Sequence, residues 1–239
     1  IGADGLGSAV RHFVTGQVER PVYRGYLIWR GVAQAPTPFY AEGNITEAWG
    51  KGERFGIMPI GNGKVCWYAT RNQPDTASPQ SKAEILEHFR GWHPPIAEVI
   101  AATPESTIVR TPALDRPAIW SWARGRVVLI GDAAHPMTPN LGQGACQAIE
   151  DALALSILLT KRGSIEAAFR RFEELRRARV AAIVLGARWI GSFAQSEGWA
   201  VRLARNSLPR FLLSGAIERT FHAIHGYRAG SMARVGRVL

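Results

Sequence analysis

The residues best placed to do chemistry lie in one run. Gly131-Asp132-Ala133-Ala134-His135-Pro136 is followed by Pro139-Asn140-Leu141-Gly142-Gln143-Gly144-Ala145-Cys146, and an acidic pair, Glu150-Asp151, comes shortly after. The preceding Arg126-Val127-Val128-Leu129-Ile130 reads as a compact apolar strand. The recurrence of Ala145, Ile149, Ala152, Leu155 and Leu159 at threes and fours predicts a helix over 142–160. This pattern places Asp132 at the carboxyl edge of a strand, where an acid can accept hydrogen bonds from sugar-like hydroxyls. The glycines let backbone approach a flat ligand closely. The helix start offers unpaired N–H groups and the positive end of its dipole to an anionic group.

A second run, Gly2-Ala3-Asp4-Gly5-Leu6-Gly7-Ser8-Ala9-Val10-Arg11, reads on its own as a glycine turn capping a short helix, with Ser8 as N-cap. Other chemistry is poorly represented. His88 and His93 flank Arg90-Gly91-Trp92 with no acid or cysteine to complete a metal set, so no metal is expected. Gly-x-Ser-x-Gly is absent. Trp29, Trp67, Trp120 and Trp122 are expected as core or pocket lining.

Between these runs the texture is that of a sheet. Tyr23–Val32, Gly52–Ile60 and Lys64–Thr70 are β-rich, and Gly61-Asn62-Gly63 is a hairpin signal between the last two. A polar loop over Asn72–Pro79 precedes a helix over Ser81–Gly91, broken by His93-Pro94-Pro95. Ile96–Ala101 is a further helical turn, and Ser106–Leu114 is a returning strand. Beyond Ser164, a long helix is predicted with the stripe Ile165, Phe169, Phe172, Leu175 and on to Ile183; Arg170, Arg171, Arg176 and Arg177 lie off it. The remainder reads as weakly patterned helix.

The chain has 239 residues, 46% of them hydrophobic, enough to bury a core. Cys66 and Cys146 fit no metal spacing and read as reduced thiols of a cytoplasmic protein. No apolar run is long enough to span a bilayer, and neither a membrane nor a nucleic acid is expected as partner. The net charge of +10 sits entirely in residues 161–239, with 15 Lys/Arg against 5 Asp/Glu; residues 1–160 balance 14 against 14. That excess reads as the solvated face of arginine-rich helices. The sequence opens at Ile1, without Met, on what reads as a strand end, which suggests a fragment, a split gene or a processed product.

The long run resembles the second flavin motif of single-component FAD-dependent monooxygenases, the hydroxybenzoate and salicylate hydroxylase type. Its PN(M/L)GQG-like loop and acidic pair are similar to those of the urate-hydroxylase and zeaxanthin-epoxidase branch. The first run resembles that family's GADGxxSxVR motif, associated with FAD and NAD(P)H binding. The resemblance implies a mixed α/β (α+β) chain, the C-terminal part of a hydroxybenzoate-hydroxylase-like FAD fold. Residues 1–20 would be the tail of the FAD-binding domain and 21–115 an inserted antiparallel substrate-binding sheet. Residues 116–162 would return to the FAD domain, and 163–239 would form C-terminal helices.

It also implies site residues. Asp132 would bind the ribityl chain of FAD and Pro139 would pack beside the reactive face of the ring. Amides around Gly144, Ala145 and Cys146 would stabilise negative charge on the reduced flavin. Gly131, Gly142 and Gln143 would complete this part, with Asp4, Gly5 and Arg11 from the first run. NAD(P)H would reduce the flavin, and a flavin hydroperoxide would hydroxylate or epoxidise a small, aromatic or cyclic substrate lying between the middle sheet and the flavin. Arg54, Met58 and Tyr68, at alternate strand positions, are candidates to line that pocket. No catalytic acid or base is assigned. The family's strand–GxGxxG–helix unit has no counterpart here, so the chain alone is expected to be inactive, with that unit as a candidate partner and exposed apolar surface where it would pack. Two other readings stand: a non-catalytic remnant or partner-binding half of a split flavoprotein, and another flavoprotein oxidoreductase on this scaffold. The Trp-x-Trp-x-Ile-Pro run of halogenases is absent.

Overall fold

Helix boundaries fall where capping chemistry puts them. In the computed structural model, which describes residues 1–34, 45–74 and 81–207, α1 (Ala9–Thr15) starts at Ser8, whose hydroxyl accepts the Arg11 amide. Ser81 opens α2 (Lys82–His88) through a capping box closed by Glu84. Ser164 accepts the Ala167 amide at 3.1 Å where α5 (Ile165–Ala194) begins. Helices α3 (Ile96–Ala101), α4 (Gly144–Leu159) and α6 (Trp199–Ser207) complete the described set. The loop expected over Asn72–Pro79 lies outside the described residues from 75 on, as does the helical remainder beyond 207.

The chain divides into two units. One comprises Ile1–Val22, Leu114–Gly191 and the described residues from Leu203; the other comprises Tyr23–Ala113 and Ser192–Arg202. The second is built on a five-stranded sheet of β1 (Val22–Gln34), β2 (Thr46–Trp49), β3 (Glu53–Gly61), β4 (Lys64–Asn72) and β5 (Val109–Asp115), in the order β2-β3-β4-β1-β5. The pairs β1–β4, β2–β3 and β3–β4 are antiparallel. The hairpin signal at 61–63 joins β3 to β4, with Asn62 in the left-handed region at φ 53°. Strand β2, which no signal marked, adds the edge beyond β3.

Alternation gives this sheet two unlike faces. Leu27, Trp29, Phe55, Ile57, Val65, Trp67 and Ala69 form one, packed against Ile85 and Phe89 of α2 and Ile96, Val99 and Ile100 of α3. Phe55 stacks on Trp67 with centroids 5.4 Å apart and meets Phe89 edge-on at the same distance. The opposite face carries Arg30, Arg54, Met58, Cys66, Tyr68 and Thr70, as the register Arg54↔Thr70, Met58↔Cys66 and Arg30↔Tyr68 shows.

In the first unit, the strand expected over 126–130 is regular only as β7 (Val127–Val128), paired with β6 (Ala123–Arg124). Its end adds a parallel bridge from Leu129 to Gly2, with Gly2 N donating to Val128 O at 2.7 Å and Ile130 N to Gly2 O at 3.0 Å. Val128, Leu129, Leu155, Phe169, Phe172 and Val180 form the core.

Two expectations are corrected here. The predicted apolar stripe of α4 is exposed at Ala145, Ile149, Ala152 and Leu159, with Ile149 70% accessible; the buried side is Gln147, Asp151, Ala154, Leu155 and Leu158. Arg176, off the predicted stripe of α5, is fully buried. One cause serves both: Arg176 and Asp151 bind each other, and that pair turns the polar side of α4 inward.

Phe55→Ala removes a ring held between two others, so we expect a loss of about 3–5 kcal/mol in the second unit. Denaturant unfolding followed by tryptophan fluorescence measures it, and a loss below about 1 kcal/mol would contradict this account of the core.

Candidate functional site

The Gly131 turn is the centre of the first unit's chemistry. Gly131 sits at φ 58°, and a Cβ there would lie 3.0 Å from that of Ala148, so both conformation and space require glycine. Its carbonyl accepts the amides of Ala134 and His135, each at 2.9 Å, closing a 3-10 turn over Gly131–Ala133. Asp132 projects from that turn into solvent. Its Oδ1 lies 3.8 Å from where a Gly144 Cβ would be, which sets the carboxylate over the start of α4.

A second 3-10 turn, Pro139–Leu141, ends at Gly142 with φ 63°. Pro139 and Gly142 are exposed. Gln143, the buried residue before α4, makes no side-chain cap, and no acid stands in the first turn. The helix therefore begins at Gly144, Ala145 and Cys146 without a side-chain cap from its N-cap residue, and with Ala145 and Cys146 exposed. An exposed carboxylate beside an uncapped helix start suits a ligand with hydroxyls on one side and an electron-rich edge on the other. FAD offers both, so the residues present fit this portion of that cofactor.

The first sequence run supports this turn. All five N–H groups of Arg11 are engaged by protein: Ala133 O and Ala134 O at 3.2 and 2.8 Å, Pro117 O at 2.7 Å, and Glu19 through Nε and Nη2. The two motifs are thus physically joined, and Arg11 is a clamp on the 131–135 turn. Asp4 accepts the Ser8 hydroxyl at 2.5 Å and the amides of Ala9 and Val10 at 2.8 and 3.2 Å. Burial would raise its carboxyl, but the hydroxyl and amides hold it below the usual range. Gly5 provides the left-handed step of that turn, at φ 74°.

The residues behind the turn carry no role that local sequence patterns announce. Asp151, without solvent contact, accepts Gly131 N at 2.9 Å, binds His135 Nε2 at 2.6 Å and accepts Arg176 Nε at 2.8 Å. Arg176 also donates to Glu150, to Gln147 O at 3.3 Å and to Gln147 Oε1 at 2.7 Å; Arg179 binds Glu150 from outside at 3.0 Å. An acidic pair midway along an apolar helix, with arginines downstream, was the available signal.

In the second unit, Arg54 and Tyr68 share Glu47: Arg54 Nη1 lies 3.1 Å from Glu47 Oε1, and the Tyr68 hydroxyl bonds the same carboxylate. Burial, then the Glu47 charge, pushes the Tyr68 phenol well up, partly offset by Arg54. Arg54 Nε and the Thr70 hydroxyl both donate to Gln195 Oε1, at 2.8 and 3.0 Å. Met58 lies half-buried on the same face. Glu47 and Gln195 escaped the sequence reading, because one sits on the unmarked β2 and the other far along the chain. Among the described residues no His/Cys/Asp/Glu group could hold a metal, and no helix is long and apolar enough to cross a membrane.

Residues 1–212 match the FAD binding domain family. The chain is 42% identical over 220 residues to an aurachin C monooxygenase/isomerase of Stigmatella aurantiaca, covering 91% of this chain and 57% of that protein. It is 39% identical over 196 residues to a zeaxanthin epoxidase of an Oncidium hybrid cultivar, covering 77% and 30%. Among solved structures, Klebsiella pneumoniae HpxO complexed with FAD and uric acid superposes with TM-score 0.79 at 31% identity, covering 85% of this chain and 53% of HpxO. The chain thus spans about half the length of the first relative and of HpxO, and less of the epoxidase.

The cluster behind the turn sets an acid limit. Burial would raise the Asp151 carboxyl, but His135, the Gly131 amide and Arg176 hold it below its ordinary value; Arg179 and Arg176 do the same for Glu150. A depressed native value means the folded state binds fewer protons, so this stabilisation is complete above the ordinary carboxylate range and is lost as pH falls through it and below. We expect the Tm of the first unit, followed by circular dichroism, to vary little between about pH 7 and 5 and to drop steeply in more acid solution. A loss already evident near neutrality would contradict this.

Proposed function

Because the chain belongs to the FAD binding domain family of FAD-dependent monooxygenases, we propose that its first unit forms the ribityl- and ring-facing part of an FAD site in a monooxygenase driven by NAD(P)H. The observation that carries this is the exposed Asp132 carboxylate held over the uncapped start of α4. Asp132 accepts hydrogen bonds from ribityl hydroxyls. The amides of Gly144, Ala145 and Cys146 face the electron-rich edge of the ring, and Pro139 packs on its surface. Gly142 and Gln143 shape the loop between them. When bound, the flavin supplies the redox chemistry, taking electrons from NAD(P)H and activating oxygen for transfer to a small substrate. The protein's share is orientation, charge stabilisation and exclusion of water.

The substrate we infer is a small cyclic or aromatic molecule, met by the polar face of the second unit's sheet through Arg54, Met58 and Tyr68. Glu47 fixes the direction of Arg54 and accepts the one Tyr68 hydroxyl proton, so the Arg54 guanidinium and the Tyr68 oxygen are held in place before a substrate arrives. Met58 supplies adaptable apolar surface.

A second reading, that this chain shares its cofactor with a separate strand–GxGxxG–helix segment, is favoured by the exposed apolar face of α4 at Ala145, Ile149, Ala152 and Leu153. An apolar helix face fits apolar cover better than water does.

Asp132→Ala should weaken FAD binding about 10- to 100-fold, as expected for lost charge-assisted hydrogen bonds, with Tm unchanged because the side chain is exposed. Quenching of flavin fluorescence measures this, and equal affinity in the variant would remove Asp132 from the site. Alanine at Arg54, Met58 and Tyr68 in a complete enzyme should weaken substrate binding by about tenfold or more; unchanged affinity would eliminate this face as the substrate surface. For the second reading, adding the strand–GxGxxG–helix segment of a relative should tighten FAD binding, and Ile149→Asp should abolish that gain. A chain that stays colourless with FAD in both conditions would exclude a flavoprotein role for it.

A further inference from the structure

Arg176 reaches both parts of the proposed site from behind without touching either surface. Its Nε binds Asp151, whose other oxygen accepts the Gly131 amide and contacts His135, so both ends of the 131–135 turn are tied to one carboxylate. Its Nη2 binds Gln147 Oε1 at 2.7 Å, and Gln147 Nε2 donates to Gln143 Oε1 at 3.2 Å, directly before the first turn of α4. One guanidinium therefore connects the turn that presents Asp132 with the segment that presents the α4 amides. Its planar fork is required, since a single ammonium group on a flexible stem cannot hold Asp151, Glu150 and Gln147 in these directions together.

Burying such a cluster carries a desolvation cost that apolar packing would avoid. Leu155, Phe169, Phe172 and Val180 form the apolar core of the first unit, which also buries Arg11 beside Glu19 and Asp115 beside Arg188. The charged cluster occurs where α4 and α5 back the candidate site. Resting on the FAD reading above, we propose that Arg176 is a positioning residue for flavin binding: through Asp151 and Gln147 it fixes the separation and direction of the Asp132 carboxylate and the α4 amide row. Arg11 closes the same turn from the other side through Ala133 O and Ala134 O, so the turn is held from both flanks.

The test uses Arg176→Lys in the 239-residue chain, with amide hydrogen exchange and FAD titration measured on the same sample. The expected result is selective. Exchange at residues 131–135 and 143–147 rises about tenfold or more, while the middle of α5 and the sheet of the second unit stay protected, and FAD affinity falls by a similar factor. Unchanged exchange, or loosening spread evenly over the first unit with a matching fall in Tm, overturns the proposal, since either leaves Arg176 no special hold on the site. Should Arg176→Lys fail to fold, Gln147→Met cuts only the α4 branch. It should loosen 143–147 and weaken FAD binding while 131–135 remains protected, and a uniform response again overturns the proposal. If the native chain shows no FAD quenching yet Arg176→Lys loosens the turn selectively, the FAD reading fails while the hold of Arg176 on Asp132 is supported.

Discussion

A carboxylate with no access to water must find its partners inside the protein, and Asp151 finds three: a backbone amide, an imidazole and a guanidinium. The first two come from the two ends of one turn and the third from α5. The Gly131 amide sets a left-handed turn, His135 closes that turn, and Arg176 draws α5 against α4. Removing any one would leave charge or polarity stranded in a low-dielectric interior, where it costs far more than in water. Satisfying this one group turns Gln147 and Asp151 of α4 inward beside Ala154, Leu155 and Leu158, and leaves Ala145, Ile149 and Ala152 outward.

The second unit is organised differently. Its sheet separates an apolar core face from a polar one by the alternation of side chains. Phe55, Trp67, Phe89 and their neighbours form an aromatic core on one face, while Arg54, Tyr68 and Thr70 form a polar lattice with Glu47 and Gln195 on the other. Such a division lets the polar face vary without disturbing the core. That is a useful property in a family whose named relatives include an aurachin C monooxygenase/isomerase and a zeaxanthin epoxidase.

Much of this was legible in the sequence because it rests on local rules. Ser8, Ser81 and Ser164 mark helix starts through capping, and Gly61-Asn62-Gly63 marks the hairpin through its φ requirement. The flavin-type run was readable as a motif because its residues are contiguous. What could not be read depends on partners distant in sequence. The burial of Arg176 and the outward face of α4 both require knowing that Asp151 and Arg176 meet, and periodicity alone assigns every apolar stripe to a core. Strand β2 is four residues long and carries no alternation strong enough to announce it. Glu47 and Gln195 owe their roles to that same kind of remote meeting.

The bonds from Arg11 to Ala133 and Ala134 span 122 and 123 residues. They therefore close a long loop. Closing so long a flexible loop is entropically costly and slow. The intervening sheet shortens it, because β1, where the chain enters the second unit, lies beside β5, where it leaves. Once those strands pair, the free chain between the two motifs is reduced to the segments outside the sheet. Pairing of β1 with β5 thus lowers the entropic cost of bringing the Arg11 segment to Ala133 and Ala134.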